Sequence, residues 1–580
     1  MQPVISPRSP SVSPCGLHSS MCRRTCGRRC GRACRSYRQS IRTRRSTIPR
    51  SSRREGQIMT AAAVPALRKE WPSFRTLVGI GAVLLGTFTS ILNARLTDIG
   101  LADIRGALGL SLDEASWITT AYVVAEVAAI PAAVWLRGIL SPTRGVILGA
   151  ALFSVFSLAA PFSPDLSILL SLQALRGLSA GVLIPMAYAV IMRHLPQHQR
   201  LYGLSFYALV SATTPSLSVS LEAFILEHLS WEFLFWLNIV PGALTVFAAS
   251  YGLAHDPVKY MRFRKFDGFG LLALSLGLAA LVAALDQGNR LDWLQSGLIV
   301  GFLLAGALLI GAFFLHALLH PNPVVSPRLL WRRNIGLGLM MMFASRIAVM
   351  SSAFIVPQYL IRIQGYRALE SSDLFLATAI PQLLLAPVVV WLCYRVDPHN
   401  LLALGGMLMG GGLLLSANIT GLWASEEFLL PLLLQSVGGP LVAIPTMVLI
   451  TEDITLQEIP WIASLVHIVR TVGSAIGLAL VTTTVRVQEQ VYSNLIGQHV
   501  ESGDADVAAR IETLAQTVLP RAANPQEAVG QATALLARTV QREAYVLSYA
   551  DAFLLIGAIM LLATALSLAL RKTLLPGRFL

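Results

Sequence analysis

The sequence predicts an all-α membrane protein with fourteen transmembrane helices, and three observations carry that prediction. The chain is 54% hydrophobic and only 13% charged, about half the charged share of a soluble domain. Its mean hydropathy is +0.63. Its apolar residues come in long unbroken blocks, such as 268–285, 297–319 and 552–570, which reach or approach the roughly 18–20 residues that cross a bilayer as helix. Inside lipid every backbone amide must find a partner within the protein, so only helices and closed barrels span. The runs do not alternate apolar and polar residues, so helices are expected.

In chain order the first six spans fall at 74–97, 115–137, 143–162, 166–192, 201–226 and 232–254. Two more, 267–286 and 295–319, follow as a close pair. The last six are 335–360, 372–394, 400–421, 428–450, 460–486 and 548–570. Most connections are short. The exception is 487–547, which is polar and rich in Ala, Gln and Glu, with a periodicity that allows one or two amphipathic surface helices. Lys and Arg set the orientation. One set of alternate loops holds Arg137, Arg144, Arg193, Arg200, Lys259, Arg262, Arg264, Lys265, Arg328, Arg332, Arg333 and Arg395; the other holds little beyond Arg105, Arg290, Arg362 and Arg367. The rich set is expected at the cytoplasm. That places both termini there and 487–547 outside. Several spans are rich in Gly and Pro, among them Gly177, Gly181, Pro185, Pro215, Gly473 and Gly477, which permit close helix packing and kinks.

Residues 1–70 form an Arg- and Cys-rich tail. The net charge of +14 resides almost wholly there: residues 1–58 hold fourteen Arg and the single acid Glu55, and the rest of the chain carries 31 basic and 30 acidic groups. Five of the six Cys (Cys15, Cys22, Cys26, Cys30 and Cys34) also lie in it, so no disulfide framework supports the body. The tail admits readings as a metal site, an RNA- or lipid-binding arm, or a transit peptide. Low-complexity sequence without a packed structure ranks ahead of these, and no nucleic-acid partner is expected. Met59-Thr-Ala-Ala-Ala points to Met59 as the true start, which N-terminal mass spectrometry checks.

Several segments resemble one family. Leu285-Asp286-Gln287-Gly288-Asn289-Arg290-Leu291-Asp292-Trp293, Asp267-Gly268-x-Gly270, Asn322-Pro323-Val324-Val325, Pro357-Gln358-Tyr359-Leu360 and Arg470-Thr-Val-Gly473-Ser474-Ala-Ile-Gly477 look, in this order, like the EmrB/QacA-type drug–proton antiporters, the fourteen-helix branch of the major facilitator superfamily. The resemblance implies two six-helix halves, 71–256 and 321–580, with an inserted pair in 257–320. It also implies a substrate site near mid-membrane between the halves. A divergent branch is implied by four departures. Asn93 and Asp98 exchange the usual first-helix Asp and Asn. Gln173-x-x-Arg176-Gly177 exchanges the usual Arg and Gln. The loop Val134 to Arg144 keeps only its last basic residue. Ser218-Val219-x-x-Glu222-Ala223 replaces the fifth-helix Gly-Pro-x-x-Gly-Gly.

A charge at the bilayer centre costs roughly 2.5–3.5 kcal/mol even on lenient scales, so ionisable residues within spans are candidates for function. Glu126, mid-span and one turn before Pro131, is the foremost proton-coupling candidate, followed by Asp98 and Glu222. Arg176, Arg346 and Arg470, with Gln173 and Asn93, are candidate charge partners or cavity residues, and Arg144 belongs to a cytoplasmic gating loop. Each has a blander reading: Asp98 and Glu222 as outer-rim residues, the arginines as interhelical hydrogen bonders. His194 and His198 read as solvated loop residues, and Asp551 as lying near the outer end of the last span. Most of the aromatic and Met residues read as packing.

Nothing predicts an enzyme, a cofactor or a metal. There is no Gly-rich loop followed by Lys-Ser/Thr, no His-Glu-x-x-His and no Cys-x-x-Cys pair. The proton gradient is then the simplest energy source, each charge moved being worth about 2.3 kcal/mol per 100 mV. The expected function is proton-coupled efflux of an amphipathic drug, toxin or metabolite across a bacterial inner membrane. The resemblance adds a periplasmic adaptor and outer-membrane channel as partners, with 487–547 as the docking element. The alternative is a proton-coupled symporter importing an organic acid, and a third reading is an enzyme or sensor on a transporter fold.

Overall fold

The structure, a computed structural model, describes residues 73–580 apart from 94–99, 197–198, 255–266, 321–322, 452–453, 456–457, 501–503, 523 and 570–580. The tail with Met59, Asp98, His198 and the basic stretch Lys259 to Lys265 lie outside the described residues.

Among the described residues fourteen helices are long and apolar enough to cross a membrane, each overlapping one expected span. The first six spans are α1 (Phe74–Asn93), α3 (Leu112–Leu140), α4 (Pro142–Ala159), α5 (Leu166–His194), α6 (Arg200–His228) and the broken sixth span, α7 (Phe233–Trp236) with α8 (Ile239–Gly252). A short helix, α2 (Leu101–Leu108), precedes α3. The inserted pair is α9 (Gly268–Gly288) and α10 (Gly297–Leu319). The last six spans are α11 (Arg333–Ile363), α12 (Ala368–Cys393), α13 (Pro398–Ser416), α14 (Ser425–Thr451), α15 (Ile459–Gly497) and α17 (Pro525–Ala569), with α16 (Ala505–Val518) between the last two.

Local chemistry sets many helix starts. Ser111 and Glu114 form a reciprocal capping box at α3. Asp165 accepts from the Ile168 amide at α5, and Asp267 from the Gly270 amide at α9. Pro131, Pro185, Pro215 and Pro357 lie inside spanning helices, where neighbouring helices compensate for the lost backbone bonds.

Two elements differ from expectation. The sixth span is interrupted at Leu237-Asn238, because the buried Asn238 side chain turns back to the carbonyls of Leu234 and Phe235 and across to Asn93. The segment 487–547 is mostly a continuation of the spanning helices. α15 has no proline from 461 to 497, and α17 none after Pro525, so nothing stops either helix. Only α16 is a separate amphipathic helix, and its Ala515 packs with Ala528 and Ala532 of α17.

The two sets of six spans meet chiefly along six helices. α3 and α5 face α15, and α6 faces α12 and α14. These are the second, fourth and fifth spans of each set. α9 packs on α3 and α15, whereas α10 rests chiefly on α9. The most apolar window of α10 is only 17% buried, as expected of a helix facing lipid. An apolar cluster from Ile184 to Leu195, Ile335, Leu339 and Ile459 to Val466 closes the arginine-rich end of the bundle.

Candidate functional site

The site begins with two glycines. A Cβ at Gly177 would run into the Tyr122 carbonyl oxygen, and one at Gly181 into that of Glu126. Their absence lets α5 lie directly against α3, which seats the backbone of residues 122–126. The Glu126 side chain, 2% exposed, reaches across to the other half. Its Oε1 lies 3.3 Å from Nε2 of His467 and 3.5 Å from Nη2 of Arg470, both on α15. Arg470 also donates to Nδ1 of His467, at 2.9 Å from Nη2 and 3.3 Å from Nε. A ring nitrogen that accepts from a guanidinium carries no proton of its own, so the His467 proton belongs on Nε2, the nitrogen nearer Glu126. The 3.3 Å approach is a close polar contact without hydrogen-bond alignment.

This cluster borders two cavities. One, of about 60 Å³, is lined by Glu126, Asp286, Arg346 and Arg470, with Thr119 and Pro215 among its other walls. The second, of about 50 Å³, is lined by Arg346 and Arg470 with Tyr207, Met342, Met409 and Met447. Each is large enough for a few waters. The two arginines border both. Arg346 is buried on α11 and donates to the Ser211 carbonyl at 3.1 Å. Asp286, at the end of α9, accepts from the Thr120 hydroxyl of α3.

Arg176 sits in a separate, fully buried cage. It donates to Ser157 Oγ at 3.0 Å, to Gln173 Oε1 at 2.5 Å and to Asn93 Oδ1. Asn93 also accepts from Asn238 at 2.8 Å. The guanidinium lies 4.8 Å from the Phe235 ring centroid and 5.5 Å from that of Phe153, within cation–π range. Its partners among the described residues are neutral. Thus the exchanged pair Gln173 and Arg176 and the exchanged Asn93 meet in one network, joining α1, α4, α5 and the broken sixth span.

The remaining candidates are dispersed. Glu222 is buried on α6, where its Oε1 accepts from the Gly100 amide at 3.0 Å; it lines neither cavity. Asp98 lies outside the described residues. Arg144 is half-buried in the first turn of α4. His194 donates from Nδ1 to the Val190 carbonyl, 3.1 Å away, within the last turn of α5. Asp551 accepts from Gln488 at 3.0 Å and from Tyr492 at 2.8 Å, holding α15 to α17. Sequence reasoning missed His467 and Asp286. The signal for His467 was present: it precedes Arg470 by three residues in an apolar helix, which puts both on one face. Asp286 was read only as part of the hairpin stretch, at a helix end where acids are ordinarily solvated.

The sequence profile of the Major Facilitator Superfamily matches residues 83–478, more than half of the chain and all of the site. The chain belongs to the Major Facilitator Superfamily. Its relatives in that superfamily include the colistin resistance protein EmrB of Acinetobacter baumannii, 22% identical over 505 residues, covering 86% of this chain and 97% of the relative. The multidrug export protein EmrB of Escherichia coli is 22% identical over 69% of this chain and 78% of its own length. The fatty acid resistance protein FarB of Neisseria gonorrhoeae is 21% identical over 81% and 91%. Among solved structures the fold is shared with an auto-inhibited POT family peptide transporter (TM-score 0.54, 13% identity, 87% of this chain and 98% of that one). It is shared equally with the proton:xylose symporter XylE (TM-score 0.54, 10% identity, 87% and 97%). The chain is thus a multi-pass membrane transporter of this superfamily, with the branch's fourteen helices.

Proposed function

We propose that this chain is a proton-coupled antiporter that exports small amphipathic molecules by alternating access, with Glu126 as the proton-carrying group. The observation that carries the reading is the meeting of Glu126 on one half with His467 and Arg470 on the other, at the wall of the central cavities. The proton affinity of a carboxyl depends on its burial and on nearby cations. Rocking of one half against the other changes the separation of Glu126 from Arg470, so proton binding and the arrangement of the halves are linked. Substrate in the adjoining cavity competes for Arg346 and Arg470, so its arrival and the proton's departure are linked as well. The apolar Met-lined wall suits a greasy substrate body. The names of the EmrB relatives support export, and the wealth of Arg at one end supports a bacterial inner membrane with both termini cytoplasmic. The extended α15–α16–α17 region then projects to the outside, where it suits a periplasmic adaptor leading to an outer-membrane channel.

A deletion strain challenged with a panel of amphipathic drugs, dyes and fatty acids tests the reading. At least a fourfold loss of resistance to one of them is expected, restored by the wild-type gene. Glu126→Gln is expected to reach the membrane at wild-type level and leave resistance unrestored. In proteoliposomes it should exchange a substrate identified by the panel while failing to concentrate it against a gradient. Full restoration by Glu126→Gln overturns the assignment of the proton. A deletion that leaves every susceptibility unchanged but abolishes growth on one carbon source overturns export in favour of import.

A further inference from the structure

We propose that Asp267, His316 and His320 form a zinc-class divalent metal site that pins the two inserted helices together at the arginine-rich end of the bundle. It lies outside the substrate path and goes beyond the transport reading. Among the described residues these three make the one group of His, Cys, Asp or Glu side chains whose donor atoms all lie within 4.8 Å of one another. The group is built from both members of the pair. Asp267 precedes α9; His316 is in the last turn of α10 and His320 caps it.

The carboxylate is fixed before any metal arrives. Asp267 is 5% exposed. It accepts from the Gly270 amide at 2.8 Å and from the Val324 amide at 3.3 Å. Backbone donors of this kind orient a metal ligand. His316 and His320 are four residues apart, which places both on one helix face, and their rings stack with centroids 5.0 Å apart. His316 Nε2 lies 2.8 Å from Asp267 Oδ1. First-row metals bind His nitrogen and carboxylate oxygen at about 2.0–2.2 Å. Their donors therefore stand a little over 3 Å apart, and a small rotation of the partly exposed His320 ring closes the group from its present spacing. One carboxylate and two imidazoles are borderline donors that favour zinc over magnesium or calcium. The His316 side chain is 28% exposed, so water has access to complete the coordination.

The bland reading is a capped helix with an Asp–His hydrogen bond. It accounts for Asp267 and His316; the stacked His320 ring adds a third donor within reach of the other two. A filled site joins the start of α9, the end of α10 and, through the Val324 amide, the link that leads into α11.

The test uses full-length purified protein, stripped with EDTA and titrated with Zn²⁺, beside His320→Gln and His316→Gln. Cysteine thiolates are zinc ligands in general and the tail carries five Cys, so the deciding quantity is the difference between variants. Wild type is expected to bind one equivalent more than either variant, or to bind that equivalent at least tenfold more tightly. Zinc should raise its melting temperature by several degrees more than theirs. Co²⁺ at this site should give a visible band without sulfur charge-transfer absorption, absent from both variants. His320→Gln leaves the Asp267–His316 contact intact, so it decides the matter if His316→Gln folds poorly. Equal zinc stoichiometry, affinity and thermal shift in wild type and His320→Gln overturn the site.

Discussion

Glu126, His467 and Arg470 put one acid and two basic side chains in a region where an isolated charge costs roughly 2.5–3.5 kcal/mol, and their mutual contacts offset part of that cost. The proton they are proposed to handle makes His467 the most informative neighbour. His467→Gln keeps a polar side chain of similar size but removes the titratable ring. We expect it to shift the pH at which transport is half-maximal and to lower gradient-driven transport several-fold, with the membrane level of the protein unchanged. A lower protein level with an unmoved pH profile would mark the ring as packing only. Glu458 provides a separate test outside the spans. Burial acts to raise its carboxyl, but hydrogen bonds from Arg332 and Thr455 outweigh it and hold the group below the usual carboxylate range. The Arg332 contact is two-pronged, at 2.5 and 3.1 Å. A lowered folded-state value means that this contact stabilises the protein above the unfolded value, near 4.3, and is lost as pH falls through the folded one. The melting temperature of the wild type should therefore drop more steeply below about pH 4 than that of Glu458→Gln. Parallel curves would refute the contact's contribution.

At the scale of helices, the glycines of α5 decide where Glu126 stands. Gly181→Ala adds a methyl that meets the Glu126 carbonyl oxygen, so α3 must move away. Overpacking of this kind costs roughly 1–3 kcal/mol. Gly181→Ala should lower the melting temperature and also weaken gradient-driven transport, whereas Gly311→Ala, where a Cβ meets open space on α10, should do neither. Glycine and alanine at these two positions look alike in composition, and only the α3–α5 crossing separates them. The hairpin between α9 and α10 is the other element whose chemistry became visible only in three dimensions. Arg290 pairs with Asp113 at 2.5 Å at the start of α3. On the other side Arg486 of α15 binds Asp292 and the Asn289 carbonyl, and Trp293 donates to Thr483 at 3.1 Å. The stretch that carried the family resemblance therefore straddles both halves of the molecule, and the hairpin end of the inserted pair is tied to α3 on one side and to α15 on the other.

Across the whole molecule, the halves touch at both ends of the bundle, with the two small cavities between them. An apolar seal fills the arginine-rich end. At the opposite end the Ser220 hydroxyl of α6 donates to the Ser372 carbonyl of α12 at 2.9 Å. Alternating access requires that this second contact open. A Ser220→Cys/Ser372→Cys pair joined by a short thiol crosslinker should stop transport at least tenfold, and a cleavable crosslinker should allow recovery on reduction. Undiminished transport by the linked protein would mean that the halves do not part along α6 and α12.

Apolar blocks of bilayer length, with no alternation, were enough to determine fourteen spanning helices, because each helix satisfies its own backbone and needs no distant partner to be legible. The order of short motifs that resemble the EmrB/QacA branch likewise pointed to the family's fold. Glu126 was legible for the same reason, since an acid inside an apolar block stands out without any neighbour. Its partners were not. His467 lies 341 positions away along the chain, and only the packing of α3 on α15 brings the two together. The same holds for Arg176, whose cage draws on four helices. It also holds for Asp267, whose two histidines lie at the far end of the next span but one turn apart in space. Sequence reads what a helix does alone; which charges face one another is set by long-range packing between helices, where a single methyl group changes the answer.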